Sequence, residues 1–166
     1  ASAAKEYMKV YGVIVGKKPL IFTNNDSAYD TAIEFKKNGV SPIIVDIRED
    51  SNSFLVNEAK NLNIEIKFSY GIANTKGYRR VNSAIIGKLS SDKSSYENLE
   101  NILCDCICVS GNWTPTVHLS SQSGNKLKFD EKVNAFIPEQ SRQNETTIGS
   151  AKGSFTLKKS LTEGFE

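Results

Sequence analysis

The sequence lacks several patterns that define common classes of functional site. Its single histidine, His118, has no identifiable acid or base partner, so histidine-based catalysis is not indicated. No apolar run approaches the roughly 18 residues that span a bilayer. The net charge is only +2 over 166 residues, and the densest basic cluster is the short pair Arg79 and Arg80. A nucleic-acid-binding face needs concentrated positive charge. We therefore expect a chain that binds neither nucleic acid nor a membrane.

The cysteines are few and crowded, at Cys104, Cys106 and Cys108. Alternation along a strand would place all three on one face, but zinc needs four converging ligands and no fourth ligand is near. We expect core thiols in a reducing compartment, without a metal. The N-terminus carries no apolar signal core, which predicts a cytoplasmic protein. The first residue is Ala1 rather than methionine, which indicates a piece excised from a longer chain.

The most informative segment is residues 18–50, whose pattern is strand, tight turn, helix, glycine and strand. A short apolar run at residues 20–22 is typical of a strand buried on both faces. The helix that follows the turn has its expected cap at Asn25 or Asp26. The second strand ends in an acid, Asp46. This order is the layout of a dinucleotide-binding βαβ unit, so the predicted fold class is α/β, with a Rossmann-like parallel sheet and flanking helices.

The turn of this unit departs from the G-x-G-x-x-G/A fingerprint, because only its last small residue survives. Its six residues are Thr23, Asn24, Asn25, Asp26, Ser27 and Ala28. The glycines of the fingerprint let the pyrophosphate approach the helix N-terminus, and the carboxylate of Asp26 would oppose phosphate there. Two interpretations stay open. The turn is either the scaffold turn of a degenerate nucleotide fold, or a tight turn built on asparagine that still binds NAD.

Further candidate residues follow the predicted strands. Asp46 lies about 20 residues beyond the turn, where an acid would bind the ribose 2′-hydroxyl, and Arg48 could instead meet a 2′-phosphate. The alternative for Asp46 is an ordinary solvated acid. Because ligands of open α/β sheets lie at the carboxyl ends of strands, the loop after the predicted strand 104–109 is the second place to look. That loop contains Ser110, Gly111, Asn112 and Trp113. The alternative for Trp113 is an aromatic lid over the core or a partner interface.

The rest of the chain predicts a mixture of helices and strands. Hydrophobic spacing favours helices over 2–11, 53–62 and 154–163, strands over 64–68, 80–89 and 99–103, a turn over 72–77 and a hairpin over 126–137. The middle strands indicate an antiparallel meander inserted into the α/β domain. We expect one Rossmann-like domain over 1–166, made of a leading helix and linker (1–16), a nucleotide-domain-like core (17–119) and a return segment with a terminal helix (120–166).

Four segments resemble the alpha subunit of heterotetrameric sarcosine oxidase: residues 1–16, 20–29, 104–119 and 148–164. The turn TNNDSAY and the loop SGNWTPTVHL are the most specific parts, although the family usually has a second glycine at the position of Asn112. The family's subunit is far longer and contains a disulfide-reductase-like pair of nucleotide domains and a folate-binding-type domain. The resemblance implies that this chain is the second, NAD-domain-like unit with the segment that returns to the first.

The resemblance also implies an activity. The family's enzyme oxidatively demethylates sarcosine to glycine with oxygen as acceptor, uses FAD, FMN and NAD, and can pass the one-carbon unit to tetrahydrofolate. The implied partners are the remaining domains of the alpha subunit and the other subunits; no catalytic residue is assigned to this chain. Three hypotheses result: a nucleotide-fold scaffold without activity alone, a functional NAD-binding domain, or an interaction module that docks through the amphipathic segments 2–11 and 154–163.

Overall fold

The computed structural model describes residues 1–92, 94–111, 113–131, 133 and 135–166. The chain divides into two compact units, Ala1–Gly111 and Asn112–Glu166. The elements of the first unit are, in chain order, α1 (Ser2–Tyr11), β1 (Pro19–Thr23), α2 (Ser27–Lys37), β2 (Ile43–Asp46), α3 (Phe54–Asn61), β3 (Glu65–Phe68), β4 (Tyr70–Tyr78), β5 (Arg80–Leu89), β6 (Tyr96–Leu103) and β7 (Cys106–Ser110).

A four-stranded parallel sheet forms the centre of the first unit, in the order β3-β2-β1-β7. Both of its faces are covered. Ile21 packs with residues of all three helices, including Met8 and Val56, whereas its neighbour Leu20 packs with Ala84 of the antiparallel sheet. Leu20 and Ile21 are both fully buried, as the continuous apolar run predicts. The predicted α/β, Rossmann-like fold is confirmed.

Helix α1 has the predicted bounds and lies on α2. Ala4 and Met8 supply its buried face, and Lys9 pairs with Glu34 of α2 at 3.2 Å. The helix ends at Gly12, whose φ of 65° is the left-handed conformation that glycine adopts without a steric penalty. The leading helix is therefore part of the packed first unit rather than a free extension.

The segment 72–77, expected to be a turn, lies within strand β4, so that prediction is wrong. β4 pairs antiparallel with β5, and β5 with β6, which gives the predicted meander. The turn-forming residues Asn74 and Gly77 sit where the register of β4 shifts. Pairing with the apolar strand β5 therefore outweighs their local turn preference, and the irregularity is absorbed by bulges.

Two glycines make room for an aromatic ring on this antiparallel sheet. A Cβ added to Gly71 would lie 2.6 Å from the ring of Tyr96, and one added to Gly87 would lie 2.7 Å from the Cβ of Tyr96. Non-bonded carbon atoms pack at about 3.5–4.0 Å. Tyr96 therefore lies across the sheet only because neither glycine has a side chain.

The three cysteines do not share one face, contrary to the expectation from sequence. Cys106 and Cys108 lie in β7 and pack with the core under the helices, with their Sγ atoms 3.8 Å apart. Cys104 precedes the strand and packs on the opposite face of the sheet. All three are free thiols. Burial raises the pKa of the Cys104 thiol, and it raises that of Cys108 to about 12, so both are inert at neutral pH.

The cysteines do not share a face because the alternation of side chains between the two faces breaks at Asp105. Its carboxylate lies at the start of β1 and accepts hydrogen bonds from the backbone N–H groups of Lys17 and Lys18, both at 2.8 Å. Although burial opposes it, these bonds hold the pKa of Asp105 below its usual value. Asp105 thus ties the beginning of β7 to the beginning of β1.

The second unit contains a hairpin and short helices. Its elements are α4 (His118–Gln122), β8 (Leu127–Asp130), β9 (Ala135–Pro138), a 3-10 helix (Gly149–Lys152) and α5 (Leu157–Phe165). The hairpin over 126–137 is confirmed, since β8 pairs antiparallel with β9. α5 begins three residues later than expected because the Thr156 side chain caps it. In the described ranges, no helix combines the length and hydropathy needed to cross a membrane.

Candidate dinucleotide site

The predicted site residues of the first unit come together at the carboxyl edge of the parallel sheet. Thr23 ends β1 and lies in register with Asp46 of β2 on one side and with Ser110 of β7 on the other. The turn after Thr23, the residues after Asp46 and Gly111 therefore share one edge. This is where the βαβ pattern predicts a ligand.

The side chain of Thr23 stabilises the turn that follows β1. This side chain is 1% exposed. Its Oγ1 accepts a hydrogen bond from the Asn25 backbone N–H at 3.1 Å and donates to the Asn25 carbonyl at 2.9 Å. A backbone donor that a phosphate would need at this position is therefore already satisfied within the turn.

The side chain of Asn25 fills the concave side of the turn. Its Oδ1 accepts from the Ser27 backbone N–H at 3.1 Å and from the Ser27 hydroxyl at 2.5 Å. Asn25, one residue before the N-cap Asp26, therefore satisfies the first backbone donor of α2. Its Nδ2 donates to the carbonyl of Gly111 at 2.6 Å. Asp26 makes no cap bond. Of the two predicted cap residues, Asn25 supplies the bond, and it also links β1 to the end of β7.

Asp46 and Arg48 form a paired cluster rather than an open site. The Asp46 carboxylate is fully buried. It accepts from the backbone N–H and Nε of Arg48 at 3.0 Å each, from its Nη2 at 2.7 Å, and from the hydroxyl of Tyr29 at 2.7 Å. The Nη1 of Arg48 pairs with Asp26 at 2.8 Å. Arg48 therefore joins β2 to the turn, and Tyr29 joins α2 to β2.

The electrostatics of this cluster keep Tyr29 neutral and Arg48 charged. Burial, and then the hydrogen bond to Asp46, raise the pKa of Tyr29 well above its ordinary value, so its hydroxyl stays a donor. The hydrogen bonds to Asp46 raise the pKa of Arg48, so the guanidinium stays charged between two carboxylates. Over the ordinary pH range Arg48 is therefore a cation that contacts both Asp26 and Asp46, and Tyr29 is a neutral hydrogen-bond donor.

These residues do not fit a dinucleotide. A ribose hydroxyl cannot reach the Asp46 carboxylate, because that group is fully buried and bonded to Tyr29 and Arg48. A 2′-phosphate would have to displace Asp26 or Asp46 from Arg48. A pyrophosphate at the turn would meet the Asn25 side chain and the Asp26 carboxylate.

Two predicted positions add nothing to this site, and one residue of the site was missed. Asn112 lies outside the described residues. Trp113 belongs to the second unit, where its ring lies 6.4 Å from that of Phe155. Tyr29 was missed because its bond to Asp46 spans 17 residues. A signal was present, since a tyrosine stands among the apolar residues on the inner side of α2, and a buried tyrosine hydroxyl usually finds a partner.

A metal site would need several ligand side chains that converge within the described residues. No set of three or more histidine, cysteine, aspartate or glutamate side chains is placed to hold an ion there. His118 lies at the first position of α4 in the second unit. The structure gives no observation that would add it to the candidate site.

Comparison with known proteins supports the resemblance found in the sequence. No protein-family model matches the chain. It is 27% identical over 166 residues to the sarcosine oxidase subunit alpha of Corynebacterium sp. (strain P-1), and 28% identical over 165 residues to that of Rhizobium meliloti (strain 1021). The chain resembles the alpha subunit of sarcosine oxidase. The matches cover 99% of the chain but only 17% and 16% of these sarcosine oxidase subunits.

Solved structures show the same fold. The HOCl-induced flavoprotein disulfide reductase RclA from Escherichia coli matches with a TM-score of 0.64 at 11% identity, over 90% of this chain and 34% of that one. The thioredoxin reductase of T. acidophilum matches with a TM-score of 0.58 at 15% identity, over 83% of this chain and 48% of that one. These solved structures show that the chain shares their Rossmann-like fold.

Proposed function

We propose that this chain is a nucleotide-fold scaffold domain of an oxidoreductase related to the sarcosine oxidase alpha subunit, and that it has no turnover alone. In this proposal the complete enzyme oxidatively demethylates sarcosine to glycine in the cytoplasm. FAD, FMN and NAD would be held by other parts of the alpha subunit and by the other subunits, which are the partners of this chain. The single-domain organisation over 1–166 stays a prediction.

The proposal rests on the hydrogen bonds that the residues of the turn make with one another. In a working dinucleotide site the backbone donors of the turn and the acid after the second strand are free to bind the ligand. Here the side chains of Thr23 and Asn25 accept hydrogen bonds from two backbone N–H groups of the turn, those of Asn25 and Ser27, and Arg48 and Tyr29 donate to the acid. Tyr29 joins α2 to β2 through Asp46, and Asn25 joins the turn after β1 to Gly111 at the end of β7, so residues at the ligand position stabilise the fold instead.

Calorimetric titration with NAD and with NADP tests the proposal. We expect no binding heat for either nucleotide at concentrations of about 1 mM, which sets the dissociation constant above that range. Asp46→Ala and the matched variant Asp50→Ala, which changes an exposed acid, should likewise give no binding heat. Micromolar NAD binding that weakens in Asp46→Ala but not in Asp50→Ala would instead establish the functional NAD-binding domain.

A second function, an interaction module, is favoured by the exposed apolar faces of two helices. Helix α5 has no buried residue, and its side chains at Leu157, Leu161 and Phe165 are 76%, 54% and 91% exposed. On α1, Val10 and Tyr11 are 66% and 65% exposed. Apolar residues spaced by four positions line one side of a helix. Light scattering of the purified chain tests this function, since concentration-dependent association should disappear in Leu157→Glu with Leu161→Glu.

A further inference from the structure

The turn between β4 and β5 carries a compact group of exposed cationic and aromatic side chains. We call Lys76, Tyr78, Arg79 and Arg80 the basic tip. All four are exposed, and Tyr78 is 87% exposed. Tyr78 and Arg80 face each other across the two strands, so Arg79 stands at the end of the hairpin.

The cations of the basic tip differ from most other ordered cations of the first unit. Lys9, Arg48 and Lys67 are paired with carboxylates. Within the described ranges, no side-chain cation of the basic tip lies within 4 Å of a carboxylate, although the charge of Arg80 helps to lower the pKa of Asp105. The guanidinium of Arg79 lies over the ring of Tyr78, 5.7 Å from its centroid. The basic tip thus carries three positive charges, whereas the net charge of the whole chain is +2.

The backbone holds these side chains in a defined arrangement. Gly77 has φ of 152°, and a Cβ there would lie 2.0 Å from the carbonyl oxygen of Arg80, so the two strands approach closely at this point. Arg79 has φ of 65°, in the left-handed region. The tip borders a shallow hollow with no acidic residue in its lining, formed by Thr75, Lys76, Gly77, Arg79, Arg80 and Val81.

We propose that the basic tip docks onto an acidic surface of another polypeptide. Tyrosine and arginine are enriched among the residues that dominate the energy of protein interfaces, and complementary charge steers and orients such encounters. The hollow has no buried donor and all of the cations are exposed, which suits a broad protein surface better than a single phosphate group. The inference does not depend on whether the turn at residues 23–28 binds a nucleotide.

The test uses fluorescence anisotropy of a labelled decaglutamate peptide as the acidic polypeptide. The whole chain should bind it, and the affinity should fall as ionic strength rises to about 1 M, where the Debye length is near 3 Å. We expect Arg79→Gln with Arg80→Gln to weaken binding by about tenfold or more, and Tyr78→Ala to weaken it by about threefold or more. Circular dichroism and Tm should be unchanged, because these side chains are exposed.

The matched control is Lys158→Gln with Lys159→Gln, which removes the same charge from an adjacent pair on α5. This variant should bind the peptide as tightly as the parent chain. An equal loss in both double variants would overturn the proposal, since net charge alone would then explain the binding. Absence of peptide binding, or tighter binding of a ten-nucleotide DNA strand than of the peptide, would also overturn it.

Discussion

Replacement of Arg48 by methionine is the most informative perturbation of the first unit. The change keeps most of the apolar stem but removes the cation that joins Asp46 to Asp26. The Asp46 carboxylate would stay fully buried, with the Tyr29 hydroxyl and one backbone N–H as its remaining donors. An uncompensated buried charge of this kind is strongly destabilising.

The magnitude follows from the exposure of the two partners. Removing one member of a buried ion pair costs about 3–5 kcal/mol. The side chain of Arg48 is 28% exposed, so solvent screening lowers the value toward that of exposed pairs. We expect Arg48→Met to lower the free energy of unfolding of the first unit by about 2–3 kcal/mol, and the Tm by roughly 5–10 °C.

Urea denaturation followed by circular dichroism measures this effect. The control is Arg80→Met, which changes an exposed arginine of the same unit and should stay within about 0.5 kcal/mol of the parent. The double variant Asp46→Asn with Arg48→Met removes the orphaned charge and should recover part of the loss. Equal stability of Arg48→Met and Arg80→Met would refute the reasoning, because Arg48 would then contribute no more than a surface cation.

Three further predictions concern other contacts of the first unit. Tyr29→Phe removes one donor to the buried Asp46 carboxylate and should cost about 1–2 kcal/mol in urea denaturation; an unchanged midpoint would contradict the bond. Gly87→Ala should cost about 1–3 kcal/mol, because its Cβ would meet Tyr96 at 2.7 Å; the Tyr96→Ala background should relieve most of that cost, and failure to do so would point to another cause. The pKa of Asp105 is lowered in the folded chain, so its contribution is present above its unfolded pKa and is lost as pH falls through the folded value. Thermal melts from pH 7 to about pH 2 should therefore show a smaller acid loss in Asp105→Asn than in the parent chain, and identical losses would contradict this.

Much of the first unit could be predicted from local signals. Residues 20–22 have the apolar run of a buried parallel strand, and the asparagine and aspartate before α2 are common capping residues. α1 and β5 have the predicted bounds. Such signals depend on residues that are near one another in sequence, so they can be interpreted before the three-dimensional structure is known.

The errors and omissions concern contacts between distant residues. β4 contains a turn-like sequence that becomes a strand only because β5 pairs with it. The sequence predicted that Asp46 and Arg48 lie at the ligand edge of the sheet, and they do. In the structure, however, Arg48 and Tyr29 both donate hydrogen bonds to the Asp46 carboxylate. The sequence left the scaffold and the NAD site as alternatives because side-chain pairing across a sheet edge has no periodic pattern.

In the proposed scaffold, the side chains of the turn bond to one another and leave no room for a dinucleotide. An NMR titration of the 15N-labelled chain with NAD tests this claim residue by residue, since each backbone amide reports separately. We predict that the amide signals of Asn25, Ser27 and Arg48 do not shift at about 5 mM NAD, well above ordinary micromolar affinities. Saturable shifts confined to residues 23–28 and 46–48 would contradict the claim and establish a dinucleotide site at this edge.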